Sequence, residues 1–388
     1  MKNKNKVLDV FVKLLSYILV AAIAVCITLF VCLGSKNNKL NQLQMLISNF
    51  FIGEVDETAL LDAAADAMVK ATGDRWSYYI PASEYAAHME QMNNAYVGIG
   101  ITISGAMGQN GIEILQVDPT GGAHEAGILA GDIITKIEGK SIFEIGVDGS
   151  RDVIRGDENT QVSITVLRGN EELTFSITRK TIKVVVAKGQ LLEGNVGLVR
   201  IANFDARCAE ETLAVIKSLV DQGAESLIFD VRYNPGGYKD ELVKVLDYLL
   251  PEGKVFHSLD YAGREEITRS DASCLKMPMA VLVNGDSYSA AEFFAAALRE
   301  YDWAVVVGEQ TSGKSYFQNT IVLSDGSAVG LSMGKYFTPK GVSLAEVGGL
   351  TPDVLVTVDQ ETAGKIYAEM LQPEEDPQIQ AALEQLKK

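Results

Sequence analysis

Histidine is scarce in this chain: only His88, His124 and His257 occur in 388 residues. Any serine chemistry that depends on imidazole has just these candidates for its base. Cysteine is equally thin. Cys26 and Cys32 lie in an apolar run, while Cys208 and Cys274 stand far apart. Neither zinc-ligand spacing nor a disulfide framework is present, and no metal or other cofactor is expected. No basic block occurs beyond the first residues, and the net charge of −17 argues against nucleic acid as a partner. No internal repeat or low-complexity tract stands out. What the chain has is apolar content, 47%, and length enough for two or three domains with sizeable cores.

The N-terminus carries Lys2, Lys4, Lys6 and Lys13, then a 20-residue uncharged stretch from Leu14 to Leu33. That length suits a single transmembrane helix, and lysines ahead of it predict a cytoplasmic N-terminus, a single-pass membrane anchor and an extracytoplasmic remainder. A cleaved signal peptide is the alternative, but the run is long for one and no small-x-small site follows.

Beyond the anchor (residues 1–34), residues 35–95 read as a helical region, with "ETALLDAAADAMVKAT" at helical spacing. Residues 96–182 alternate short β-like runs with glycine turns, the size of a small β-rich module. Residues 183–360 alternate strand and helix: "NVGLVRI", "SLIFDVR", "MAVLVNG" and "AVVVGE" are separated by amphipathic helices, which argues for an α/β core of parallel strands with crossover helices. Residues 361–388 form a helical tail.

Gly308-x-x-x-x-Gly313-Lys314-Ser315 matches the P-loop pattern. A P-loop needs a helix directly after its lysine. Here "YFQNTIVLSDGSAVGLSM" follows, β-branched and turn-rich, with a hairpin signal at Asp325-Gly326. A different role for Lys314 comes from Ser289, which sits where a buried strand meets an apolar helix. A hydroxyl there lies beside unpaired first-turn N–H groups that can stabilise an oxyanion; it also suits a plain helix cap. His257 is the one histidine within the strand–helix core and remains a candidate base. A Ser–Lys pair needs no histidine, but its lysine must be neutral, which near pH 7 costs roughly 4.6 kcal/mol. The flanks Val305–Val307 and Tyr316–Phe317 give Lys314 the apolar surroundings that can supply this.

Ser287-Tyr288-Ser289-Ala290-Ala291-Glu292, with Lys314 25 positions after Ser289 and Gln318 four further on, resembles the carboxy-terminal processing (tail-specific) proteases. "VGEQTSGK", "LIFDVRYNPGG", "YFTPKGVSLAEVGGLTPDV" and "GDRWSYYIP" extend the resemblance, and "YVGIGITI", "GGAHEAGILAGDIITKIEGKSI" and "DVIRGDENTQVSITVLRG" look like the family's PDZ module. Some relatives carry Asp eleven residues after the serine, where this chain has Glu300. The resemblance implies a serine endopeptidase in which Ser289 attacks, Lys314 is the base, Gln318 orients Lys314, and the N–H groups of Gly237 and Ala290 bind the oxyanion. It implies that Val97-Gly98-Ile99-Gly100 take a free, apolar substrate C-terminus, with Ile101 and Ile103 making the pocket apolar. Arg155 is expected to couple peptide binding to the protease core. The expected partners are peptide or protein substrates, the membrane and a second copy of the chain. The other readings are an inactive PDZ scaffold at the membrane and a P-loop nucleotide-binding protein.

Overall fold

A computed structural model describes Lys13, residues 15–25 and residues 38–387. They form two units, one up to Gly73 and one from Asp74 onward. In the first unit residues 15–25 are helical, and helices follow at Asn38–Phe50 and Glu57–Lys70. Asp56 caps the last of these by accepting from the Ala59 N–H at 3.0 Å. The expected transmembrane helix over residues 14–33 is not found: among the described residues no helix is long and apolar enough to cross a membrane. The described helical piece covers 11 residues, about 16 Å at 1.5 Å per residue, half the thickness required; Leu14 and residues 26–33 lie outside the described residues.

In the second unit the core is a six-stranded sheet in the order Ala187–Leu192, Val196–Ile201, Ser226–Asp230, Met279–Val283, Ala304–Gly308, Val354–Leu355. The first pair is antiparallel and the other four pairings are parallel. Period-two alternation divides its side chains between two layers. Val199, Ile201, Leu227, Phe229, Val281 and Val283 point to one face, where the helices Cys208–Asp221, Lys239–Leu249 and Ala290–Glu300 pack. Leu198, Ile228, Ala280 and Leu282 point to the other, where the helix Pro377–Leu386 contributes Ile379 and Ala382. That tail is locked electrostatically: Arg232, 1% exposed at its side chain, pairs with Asp230 at 2.7 Å and Asp376 at 2.9 Å. Phe294 sits at the centre of the helical layer, 5.6 Å from the Phe204 ring and 5.3 Å from Phe229.

A second, antiparallel sheet runs Tyr78–Ile80, Ala328–Phe337, Gly253–Asp260, Glu265–Ser270, with Tyr316–Val322 also paired to Ala328–Phe337. The last pairing is a hairpin turning at Asp325-Gly326, where Gly326 takes φ 90°. Lys314 is therefore followed by a strand, and the phosphate-facing helix that a P-loop requires does not form there. Residues 74–95 belong to this larger unit, so the stretch 35–95 is divided: its last part supplies an edge strand and the helix Ala82–Met92.

Residues 101–178 build a separate small barrel-like layer. Strands Ile101–Ile103, Ile112–Val117, Ile133–Ile137, Gln161–Arg168 and Glu171–Thr178 pair antiparallel, with a helix at Ile142–Ile154. Its own core is isoleucine-rich, including Ile112, Ile114, Ile134, Ile164 and Ile177, each fully enclosed. Ala95–Gly98 and Lys180–Lys183 pair as a two-stranded stalk at its entry and exit.

Because Phe294 joins the helix to the sheet with no space for relaxation, Phe294→Ala should destabilise the larger unit by about 3–5 kcal/mol. Urea unfolding followed by tryptophan fluorescence would check this through a lower midpoint at unchanged slope.

Candidate active site

Strand Met279–Val283 ends in the turn "NGDSYS", and helix Ala290–Glu300 begins immediately after it. Ser287 holds this turn from inside. Its hydroxyl donates to Val231 O at 2.7 Å and accepts the Asn284 N–H at 3.0 Å. Ser289 is left at φ 59°, ψ −122°, a conformation that costs a non-glycine residue on the order of 1–3 kcal/mol. The strain is over-determined by its surroundings. The Ser289 N–H donates to Glu292 Oε2 at 3.0 Å, Tyr288 N–H donates to Asn234 O at 3.2 Å, and the Gly236-Gly237 turn presses on the other side.

That turn shows why two glycines are needed. A Cβ on Gly236 would lie 2.8 Å from Ala290 N and from Ser289 Cβ; one on Gly237 would lie 2.2 Å from Phe204 C. With φ 89° and 149°, the backbone bends between Phe204 and the serine turn, and Phe204 and Gly237 form a parallel bridge. Gly237 and Ala290 thus line the same cleft as Ser289, and among the described residues their N–H groups donate to no acceptor in the chain.

Lys314 faces this cleft from the loop ahead of Tyr316–Val322. Its Nζ lies 4.8 Å from the Trp76 ring centroid and 5.9 Å from that of Tyr288, and those two rings pack at 5.8 Å. Burial among them lowers its pKa to about 8, against the opposing pull of the Asp74 and Glu292 carboxylates. Lys314 is thus half neutral near pH 8, the condition a lysine base requires.

A single carboxylate ties nucleophile and lysine together. Glu292 is fully enclosed and accepts the N–H groups of Ser289 (3.0 Å), Lys314 (2.8 Å) and Gly313 (2.6 Å) and the Thr311 hydroxyl. Burial raises its pKa, with all four of these hydrogen bonds pulling the other way. Tyr336 closes the floor: its hydroxyl donates to Lys314 O at 2.6 Å and is hydrogen-bonded to the Ser289 side chain. Among the described hydrogen bonds none joins Ser289 to Lys314 directly; such contacts tighten when substrate excludes water.

Gln318 lines the cleft, but its amide donates to Ser332 Oγ at 2.9 Å and Tyr316 O at 3.2 Å rather than reaching Lys314. His257 projects from the strand Gly253–Asp260 whose neighbours Phe256 and Ser258 face the cleft; it pairs instead with Glu265 at 2.7 Å and packs on Phe337. His88 does line the cleft, held against the Tyr78 and Tyr85 rings, with burial lowering its pKa. Glu300 accepts from Thr338 and the Lys340 N–H, a structural role. Sequence reasoning assigned no role to Trp76, Glu292 or Tyr336. The glutamate lay inside the quoted serine motif, and its place three residues after a helix-capping serine was the available signal. The other two reach the site only through tertiary folding. The cleft is open and measures about 1590 Å³.

A second, smaller pocket of about 270 Å³ lies in the 101–178 layer, lined by Gly98, Ile99, Gly100, Ile101, Ile103, Ile154, Tyr96 and Arg155. Val97 does not line it, and its N–H donates to Glu90 Oε1 at 3.2 Å, so that N–H is not free for a substrate carboxylate. Arg155 stands 3.8 Å from the other Glu90 oxygen, and Glu90 belongs to the helix Ala82–Met92, whose His88, Met89 and Met92 line the catalytic cleft.

A strained serine at a helix start shares its cleft with a desolvated lysine and two free N–H groups, and a separate glycine-edged pocket lies in the smaller layer. Residues 195–356 match peptidase family S41 and residues 113–168 match a PDZ domain, so the chain carries both. It is 32% identical over 328 residues to a probable CtpA-like serine protease of Staphylococcus aureus, covering 83% of this chain and 65% of that protein. It is 32% identical over 312 residues to the carboxy-terminal processing protease CtpA of Bacillus subtilis, covering 79% of this chain and 66% of that protein. It thus spans just under two thirds of these relatives' length. A putative S41 protease of Bacteroides fragilis shares the fold, with TM-score 0.51 and 15% identity over 83% of this chain and 90% of that one.

If Glu292 sets the serine–lysine geometry, Glu292→Gln leaves N–H donors facing an amide and should lower kcat roughly 10–100-fold without unfolding the protein. Steady-state kinetics beside circular dichroism would check it. Trp76→Ala admits water to Lys314. Since desolvation is the largest influence there, its pKa should rise toward 10.5, and the alkaline-going limb of kcat/KM should move upward from about 8. The loss of the cation–ring contact opposes this but is the smaller effect.

Proposed function

We propose that the chain is a serine endopeptidase that binds protein C-termini through its PDZ domain and cleaves with a Ser289–Lys314 dyad. The observation that carries this is the shared cleft: it is lined by the strained Ser289, by Gly237 and Ala290 with their free N–H groups, and by a lysine lowered to about 8. Neutral Lys314 takes the Ser289 proton as Oγ attacks the peptide carbonyl. The resulting oxyanion receives the N–H groups of Gly237 and Ala290. The lysine ammonium then gives its proton to the leaving amine, and water, activated by the same lysine, releases the acyl group. Gln318 acts through Ser332 and the Tyr316 carbonyl to hold the lysine strand, rather than by touching Lys314.

The glycine-rich edge at Gly98 and Gly100 would take the substrate carboxylate with Ile101 and Ile103 receiving an apolar terminal side chain. Arg155, at the rim and close to Glu90, would relay occupancy to the cleft helix. The lysines ahead of the apolar N-terminal run support an extracytoplasmic peptidase domain. Exposed Leu40, Leu43, Leu46 and Phe50 on the helix Asn38–Phe50 support self-association, which sedimentation would test.

The test of the dyad is kinetic. Ser289→Ala and Lys314→Ala should each abolish cleavage, and the double variant should be no worse than either, because the pair acts as a unit. Wild-type kcat/KM should rise with pH through a limb near 8, because the competent lysine is the deprotonated form. Turnover surviving in Lys314→Ala while lost in His88→Ala would overturn the assignment.

A further inference from the structure

The charged side chains around the catalytic cleft are almost all paired. Arg207 binds Glu211, Lys239 binds Glu266 and Asp240, Lys244 binds Glu241, Arg264 binds Asp260 and Glu265 binds His257. Among the described residues lining the cleft, the two charged groups without an ion partner are Lys314 and Asp205. The lysine belongs to the chemistry above. Asp205 has no role in it.

Asp205 is 6% exposed, and its Oδ1 is enclosed with no hydrogen-bond partner in the chain. Leaving an acceptor in this state is costly, because the group has lost water and gained nothing. Its position is set by the backbone around it. The Asp205 N–H donates to Asn203 Oδ1 at 3.0 Å, its carbonyl accepts the Cys208 N–H at 3.2 Å, and its peptide packs against Gly237, where an added Cβ would lie 2.5 Å from Asp205 N. Asp205 thus lines the cleft beside the Phe204–Gly237 bridge, with Oδ1 enclosed. Tyr238 and Tyr288 also line this part of the cleft, and both feel the Asp205 charge. The adjacent Arg207 is drawn away by Glu211 and by the carbonyls of Asn94 and Val184, which its two terminal nitrogens bind, and its enclosed Nε meets no acceptor, Asp205 included.

We propose that Asp205 is a specificity-determining residue whose carboxylate receives the ammonium or guanidinium of a basic substrate side chain beside the scissile bond, with the Tyr238 and Tyr288 rings flanking the cation. A basic side chain supplies what the site lacks: it brings the opposite charge and N–H donors to the exposed edge of a desolvated carboxylate, and aromatic faces favour it further. An apolar side chain would leave Asp205 unpaired, and an acidic one would repel it. With no cation in the chain to offset burial, the Asp205 pKa stands at about 7; a bound lysine or arginine would return it to the ionised form.

The proposal rests on the cleft being the peptide-cleaving site, so its test separates the two. Peptides that share one free apolar C-terminus and differ only in lysine, norleucine or glutamate at positions flanking the cut are used twice. Their binding to the Ser289→Ala protein is measured by fluorescence anisotropy, and their cleavage by the wild-type enzyme is measured as kcat/KM. The lysine peptide should bind, and be cut, roughly tenfold or more better than the norleucine peptide. Asp205→Asn should bring that ratio close to one, and Asp205→Lys should turn the preference toward glutamate. A lysine preference in binding without Ser289-dependent cleavage would leave the pocket standing and overturn the dyad. Ser289-dependent cleavage with no lysine preference would overturn the pocket alone, as would a preference that survives in Asp205→Asn. Should the Asp205 variants fail to fold, the ratio measured with native Asp205 decides the matter by itself.

Discussion

The Glu292 carboxylate is the interaction on which the rest of the site depends. It lies on the first turn of the helix that Ser289 begins, and its two oxygens take the N–H of Ser289 together with three donors from the loop 311–314. Two segments that meet only in the folded chain thereby share one set of hydrogen bonds. A buried carboxylate is costly unless each oxygen is satisfied, and here several donors converge on it. Satisfying the acid and placing the lysine opposite the serine are the same event.

The lysine's chemistry comes from a second constraint, exclusion of water. The Lys314 pKa is lowered by burial beside Trp76, Tyr288 and the enclosed Tyr336, and those residues come from an edge strand's approach, the turn ahead of Ser289 and the antiparallel sheet. The cleft is thus a junction of the two sheets rather than a property of either. The parallel sheet presents the serine and the glycine turn at the carboxyl ends of its strands, as open α/β sheets generally do. The antiparallel sheet supplies a wall of the cleft that Lys314 enters.

The apolar alternation of the core strands, the amphipathic helices between them and the hairpin at Asp325-Gly326 were legible from residue type and spacing, because burial and turn chemistry act locally. Ser289, Lys314 and the Gly236-Gly237 turn were legible as motifs. The division of residues 35–95 was not, because Tyr78–Ile80 is too short to announce itself and is a strand only by pairing with Ala328–Gly330. The single helix expected across residues 14–33 followed from apolar length alone; the described helix there spans residues 15–25.

By itself, then, the sequence determined which residue types stand where: a serine where a strand gives way to a helix, a lysine with apolar neighbours, two adjacent glycines in a turn. Those follow from local sterics and periodicity. The tertiary structure decided which partners each would have. It placed Glu292 between serine and lysine, turned His257 away on the alternate face of its strand, kept Gln318 off the lysine, and left Asp205 enclosed without a partner. Burial, pKa and hydrogen-bond partners depend on groups hundreds of residues apart, as with Trp76 and Lys314, and no local pattern encodes that proximity.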